Sequence, residues 1–339
     1  MSQTFDIAVV GATGLVGGAV IDLLAQHDFP LGQLYLLASS ESEGTPVEYG
    51  KKRLTVHDLA EFDFSRVALA FFCVPDEVAR EFIPVATGAG CIVIDQSPVY
   101  RMDPEVPLVI PRCNAQAVGD YGMKRIIASP DSSIIHSLIP LLPLHQVYRL
   151  ERINAVQMRA VSEIGKAGIT ELSNQSIAMF NLKPIEHRYF QPQIAFNVLP
   201  QAGGGAAVAS ERLEALLQEE VQKILQDPDI QVSVTATQVP VFFGHSQALH
   251  IEFQEEIAIQ DVRERLMDEA LVKIIDTAED GDYATAVGNA ANNDQIFISR
   301  IREDTTWPRG LNLWVVADNI RCAANNSVNI AEILVKDYL

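Results

Sequence analysis

The chain has 339 residues, 48% hydrophobic, 20% charged and 7% aromatic, and 25 Lys+Arg against 44 Asp+Glu give it a formal net charge of −19. That is too apolar for a disordered chain and long enough for about two domains of ~150 residues. A surface this negative repels phosphate backbones and anionic lipid, so nucleic-acid and membrane binding are excluded as main roles, and a basic site can only be local.

Residues 5–10 (FDIAVV) read as a strand, followed by the Gly-rich run 11–18. Ala19, Val20, Leu23 and Leu24 then recur at helical spacing as far as His27. Apolar runs at 34–38, 67–73 and 91–95 predict three more strands, with a helix over 76–88. Near-continuous apolar strands alternating with helices predict a doubly wound α/β domain of Rossmann type, its parallel sheet covered on both faces. The pattern changes at 128–133, which is polar and carries Pro130, and the apolar stretch 134–148 predicts a helix. Strand patterns follow near 151–161, 231–238, 247–253, 295–302 and 311–317, with helices near 165–180, 211–226 and 259–275. Longer strands with fewer helices predict a second, α+β domain on a mixed or antiparallel sheet. Residues 201–208 (QAGGGAAV) read as a flexible connection, and 319–339 is helical by period.

Cys73, Cys91, Cys113 and Cys322 are scattered, with neither a CxxC pair nor metal-ligand spacing, so reduced thiols and no metal site are expected. The first six residues lack the basic and apolar regions of a signal peptide, and no 18-residue apolar run is uninterrupted. A cytoplasmic protein is expected.

The first candidate site is the run Gly11-Ala-Thr13-Gly14-Leu15-Val16-Gly17, which follows a strand and opens a helix. Glycines at this spacing let backbone approach a pyrophosphate seated on the helix N-terminus. The plain alternative is a tight βα turn with no ligand. The second strand ends in Ser39, Ser40, Glu41 and Glu43, where the adenosine ribose would be read. A carboxylate there accepts from a ribose 2′-OH and repels a 2′-phosphate, which favours NAD over NADP. The alternative is a solvated acidic loop.

Eight motifs, in order and spacing, carry a resemblance that covers nearly the whole chain. They are GATGLVG at 11–17, LASS at 37–40, VIDQS at 93–97, YRMDPEVPLV at 100–109, GKAG at 165–168, FNVLP at 196–200, VPVFFGHS at 239–246 and ADNIR at 317–321. The chain resembles the aspartate-β-semialdehyde dehydrogenase family. That resemblance implies a Rossmann-type domain over 1–130, joined by the C-terminal helix 319–339, and a dimerisation and substrate domain over 131–318. It also implies a homodimer and reductive dephosphorylation of β-aspartyl phosphate with NADPH through a cysteine thioacyl intermediate, whereas Glu41 favours NAD, so NAD or NADP is the expected cofactor.

Carried over position by position, the family's site is altered here. The nucleophile of its Asn-Pro-Asn-Cys motif falls on Ser132, in Ser129-Pro130-Asp131-Ser132. A serine hydroxyl is a far weaker nucleophile than a partly ionised thiol. The general base falls on His245 and the phosphate-binding arginine on Arg101, both retained. The substrate-carboxylate arginine falls on Gln238, and the acyl-orienting glutamine on Arg159. A site lysine falls loosely on Leu216, the arginine near a 2′-phosphate on Glu41, and the small cofactor loop on Val74-Pro-Asp-Glu77. Together these changes resemble a divergent paralogue of the Usg-type branch, with the parent reaction lost or very slow, that binds a dinucleotide or a small anionic metabolite. Two alternatives stay open. One is an active NAD(P)-dependent semialdehyde dehydrogenase in which Arg159 and Arg101 bind an anion. The other is a serine acyl-transfer enzyme using Ser132 and His245. A chain that binds neither dinucleotide is the remaining cofactor outcome.

Overall fold

The computed structural model describes residues 4–203, 207–277 and 281–339. The chain divides into two compact units, Met1–Asp131 with Ala323–Leu339, and Ser132–Cys322.

In the first unit β1 (Phe5–Val10), α1 (Leu15–Gln26), β2 (Leu31–Ala38), β3 (Pro46–Tyr49), β4 (Lys52–Asp58), β5 (Leu69–Phe72), α2 (Asp76–Gly88), β6 (Ile92–Asp95), α3 (Pro111–Asn114) and β7 (Ile126–Ala128) follow in order. They form one seven-stranded sheet, β3-β4-β2-β1-β5-β6-β7. Among the described residues of this sheet only β3 and β4 pair antiparallel. Ile7, Val9, Leu69, Phe71 and Ile94 have no exposed surface, as a sheet covered on both faces requires. The chain leaves β1 for β2 on one side and later returns to pair β5 on the other. The carboxyl ends of β1 and β5 are therefore the topological switch point, where open α/β sheets bind ligands. The β3–β4 hairpin was not expected from the sequence. Its apolar residues Val47, Tyr49, Leu54 and Val56 alternate with polar ones, Gly50 turns it at φ +55°, and β3 forms the edge of the sheet.

In the second unit α4 (Ser132–Tyr148), β8 (Leu150–Arg159), α5 (Lys166–Phe180), α6 (Ala207–Leu225), β9 (Gln231–Gln238), β10 (His245–Phe253), α7 (Ile259–Asp268), β11 (Val272–Ile274), β12 (Ile296–Glu303) and β13 (Gly310–Ala317) precede α8 (Asn319–Asp337). The sheet order is β11-β12-β13-β10-β8-β9, with β8–β9 and β11–β12 parallel and the other pairs antiparallel. This is the expected mixed sheet. α4 is buried along most of its length despite Pro140 and Pro143, as a helix apolar all round must be. One expectation is corrected. The helix over 259–275 stops at Asp268, and Val272–Ile274 becomes an edge strand because β-branched residues there complete a pairing with β12. In the connection over 201–208, residues 204–206 lie outside the described residues, and α6 already begins at Ala207.

α8 begins in the second unit and continues as part of the first from Ala323. Within the first unit Gln96 donates to the Ala323 carbonyl and to Ser327. Asn326 donates to the Val109 carbonyl and to Ser129 Oγ, both at 2.9 Å. These side-chain bonds satisfy buried backbone where β6 and β7 end. Among the described residues no helix is long and apolar enough to cross a membrane.

Candidate functional site

The glycine run forms a cradle of backbone. Gly11 ends β1 at φ +85°, and a Cβ there would lie 2.2 Å from the Cys73 carbonyl oxygen beyond β5. A Cβ on Gly17 would lie 2.2 Å from the Gly11 carbonyl oxygen, so only glycine lets α1 approach the strand this closely. Gly14 is exposed just before α1, and the first turn of that helix carries neither a side-chain cap nor an acidic residue. Thr13, Leu15 and Val16 surround it, half-buried. A pyrophosphate fits this geometry, since the helix N-terminus carries positive partial charge and its own first turn holds no acidic residue. Ser39 precedes a single 3-10 turn, Ser40–Ser42, which presents Glu41 to solvent. Asp76 and Glu77 open α2, so the loop after β5 is also acidic.

Beside the cradle, Asp95 is fully buried at the end of β6. It accepts from the Ser97 N–H at 2.9 Å and the Ser97 hydroxyl at 2.8 Å. Burial outweighs those bonds and the nearby Arg101, and raises its carboxyl to about 6. Burial, then the charge of Asp95, pushes the Cys73 thiol up to about 12. Arg101 is buried and donates to the Gln96 carbonyl at 2.8 Å.

In the second unit Ser132, half-buried, is the first residue of α4. One turn on, on the same helix face, the ring of His136 meets that of His245 edge-on, with centroids 6.3 Å apart. His245 opens β10 directly after Gly244, whose φ is +87° and whose N–H donates to Asn319 Oδ1 at 3.1 Å. Asn319 also exchanges hydrogen bonds with Ser162 and so ties the His245 turn to the segment after β8. The Ala160 N–H donates to His245 Nδ1 at 3.0 Å. This hydrogen bond assigns the neutral ring's proton to Nε2, which makes Nε2 a donor.

Arg159 ends β8 and is 2% exposed. Its Nε donates to Glu163 Oε2 at 2.8 Å, and its Nη2 meets Glu163 Oε1 at 2.7 Å, a two-pronged pair. Its Nη1 donates to Ser133 Oγ and to Gln157 Oε1, both at 3.0 Å. Gln238 is the direct cross-strand partner of Arg159 in the parallel β8–β9 register. Gln238 Nε2 donates to the Arg159 carbonyl at 2.8 Å, and its backbone exchanges hydrogen bonds with Leu199 at 2.9 Å. Gln247 donates to the Ser133 carbonyl at 2.8 Å and accepts from Ser137 at 3.0 Å. The fold thus brings Arg159, Gln238 and His245 together at one end of the sheet, with Ser132 on the helix whose next turn meets His245. Leu216 is half-buried on α6. Among the described residues no group of three His, Cys, Asp or Glu side chains could hold a metal ion.

A glycine-built nucleotide cradle in one unit and a buried polar cluster on a mixed sheet in the other define a two-domain dehydrogenase architecture. Two family models match this chain, the semialdehyde dehydrogenase NAD-binding domain over residues 6–121 and the semialdehyde dehydrogenase dimerisation domain over 141–322. Aspartate-semialdehyde dehydrogenase of Shewanella sp. (strain DB6705) is 40% identical over 339 residues and covers 100% of both chains. That of Legionella pneumophila is 40% identical, covering 100% of this chain and 98% of the other. Aspartate semialdehyde dehydrogenase II of Vibrio cholerae, solved with ASA, superposes at a TM-score of 0.95 with 38% identity and 100% coverage of both chains. A probable aspartate-semialdehyde dehydrogenase of Pseudomonas aeruginosa superposes at 0.92 with 36% identity, covering 99% of this chain and 100% of the other. The chain belongs to the aspartate-semialdehyde dehydrogenase family.

Sequence reasoning missed Glu163, Ser133, Gln157, His136 and Asn319. His136 carried a signal, its position four residues after Ser132. Asn319 lay inside the ADNIR motif but looked like a helix start and nothing more. Glu163 was invisible, because its pairing with Arg159 depends on the turn Val161–Ile164 that carries it back over the strand.

Proposed function

We propose that this protein retains the family's dinucleotide cradle and no longer carries out the parent NADP-dependent reductive dephosphorylation. The carrying observation is Ser132 at the head of α4, in the nucleophile's place. No thiol substitutes for it in sequence, since the cysteines fall at 73, 91, 113 and 322. Burial raises both Cys73 and Cys91 to about 12, so neither supplies thiolate at neutral pH. Asp131, buried beside Ser132, adds negative charge where an acyl phosphate would approach. Gln238 offers no charge to a substrate carboxylate.

The ligand is NAD, with NADP second, because Glu41 stands at the ribose end of the cradle. When bound, a nicotinamide supplies a two-electron hydride acceptor or donor. This chain's glycines would hold the pyrophosphate and Glu41 the ribose. The second unit takes a small anionic metabolite, and the chain assembles as a homodimer through it, in keeping with the dimerisation-domain match.

Calorimetric titration of NAD and NADP, followed by a semialdehyde oxidation assay with phosphate on the same preparation, tests this. NAD binding without turnover is the expected result. NADP-dependent turnover at ordinary enzyme rates would overturn it and favour the second reading, an active semialdehyde dehydrogenase, for which the buried guanidinium of Arg159 is the supporting observation. Labelling of Ser132 by a fluorophosphonate would instead indicate acyl transfer.

A further inference from the structure

We propose that Arg159 is the receptor for a ligand carboxylate in this protein, and that Glu163 occupies that receptor until the ligand displaces it. The inference rests on the reading that the second unit still takes a small anion, and adds which residue holds it. Positions 159 and 238 are cross-strand partners in register. Neighbouring residues in a parallel sheet point to the same face. The guanidinium that the resemblance expects at 238 therefore stands one strand away, on the same face, at 159, and the amide expected at 159 stands at 238. The pair is exchanged, and a positive charge remains.

The geometry around Arg159 suits a receptor. Nη1 is anchored by Ser133 and Gln157, both internal to the unit. Nε and Nη2 form the side-on fork, the geometry a carboxylate takes on arginine. The occupant of that fork is a carboxylate already. The side chain of Arg159 is 2% exposed and that of Glu163 is 17%, so Glu163 is the outer member of the pair. It rides on the short turn Val161–Ile164, which ends at Gly165 with φ +72°. A carboxylate arriving from solvent meets Glu163 first and replaces it without disturbing the anchors of Nη1. On the neighbouring strand, Gln238, whose Nε2 donates to the Arg159 carbonyl, has its Oε1 buried with no hydrogen-bond partner among the described residues. A buried acceptor left this way is unfavourable, and a donor on the bound ligand would satisfy it.

The test is succinate binding to the full-length protein by calorimetry. Glu163→Gln keeps an acceptor for Arg159 Nε and removes the competing charge, so it should bind succinate at least about tenfold more tightly than the unmodified chain. Arg159→Gln in the Glu163→Gln background should lose that gain, and Arg159→Lys should recover only part of it. Should Glu163→Gln fail to fold, Glu163→Asp, which withdraws the carboxylate by one methylene, should show a smaller gain of the same sign. Equal succinate affinity in a folded Glu163 variant and the unmodified chain overturns the proposal. So does tight binding that survives loss of Arg159. Dinucleotide titration of the same variants separates the two readings. NAD binding with no succinate gain sinks the receptor and leaves the cradle standing.

Discussion

The cradle at Gly11, Gly14 and Gly17 is built from backbone, whereas the cluster around Arg159 is built from side chains. In the cradle, a side chain at Gly11 or Gly17 would place a carbon 2.2 Å from a carbonyl oxygen, so the geometry that suits a phosphate is also the geometry that packs α1 on the sheet. In the cluster, Ser132, Gln238 and Arg159 stand where the resemblance implies other residue types, and Arg159 and Gln238 are register partners on a paired sheet. A site made of main chain cannot change without the fold. A site made of side chains can be rewritten on an unchanged sheet.

The largest expected effect breaks the first half of that contrast. Gly11→Ala should destabilise the chain by roughly 3–5 kcal/mol in urea unfolding and abolish dinucleotide binding, because the clash is with backbone and the φ is left-handed. A folded variant that binds NAD normally would refute the claim that packing and binding share one geometry. Next comes Glu163→Ala, which leaves a buried guanidinium without its carboxylate and should lower stability by about 3 kcal/mol. Arg159→Gln should cost less, about 1–2 kcal/mol, since the carboxylate left behind is the outer member and can reach water. Equal losses would mean that the pair is buried evenly.

Asp95 sharpens the comparison through pH. Its carboxyl titrates near 6 in the fold and near 3.9 when unfolded, so the folded chain binds the proton more tightly. The stability this contributes is complete below about pH 4 and is lost as pH rises through 6. Relative to Asp95→Asn, the unmodified chain should lose about 2–3 kcal/mol between pH 4 and pH 7. Parallel stability curves for the two proteins would show that Asp95 is not held in its protonated form. The smallest effect is expected at Glu41. Glu41→Arg should shift the NADP-to-NAD affinity ratio by about tenfold towards NADP, or roughly 1.4 kcal/mol, leaving thermal stability unchanged.

Much of this was legible from the sequence because it follows from period and from glycine. β1, β2, β5 and β6 of the first sheet and β8, β9, β10, β12 and β13 of the second announce themselves as apolar or alternating runs, whereas the short β7 does not, and residues 11–17 require a βα turn whatever they bind. What stayed hidden depends on tertiary neighbours. The β3–β4 hairpin is two short strands in which Val47, Tyr49, Leu54 and Val56 alternate with charged and polar residues, so no continuous apolar run marks it. Val272–Ile274 is too short to be told from the tail of a helix until β12 offers it an open edge. In the site, the residue types at 132, 159, 238 and 245 could be read, but their relations could not. That Arg159 and Gln238 are register partners follows from strand pairing. That Glu163 neutralises Arg159 follows from a turn that folds back over the strand. That His245 Nδ1 accepts from a main-chain N–H follows from where the end of β8 places Ala160.

The path of α8 bears on how the molecule is made. Its later residues, from Ala323, complete the unit that the first residues of the chain begin. Asn326 and Ser327 supply hydrogen bonds that Val109, Ser129 and Gln96 use at the ends of β6 and β7. During synthesis the ribosome releases the glycine cradle well before Asn326 and Ser327, and the sheet that holds it lacks these partners until they emerge. The second unit, contiguous in sequence, has no such wait. The order of emergence is therefore the reverse of the order of completion, and the nascent first unit stands open while its neighbour is translated.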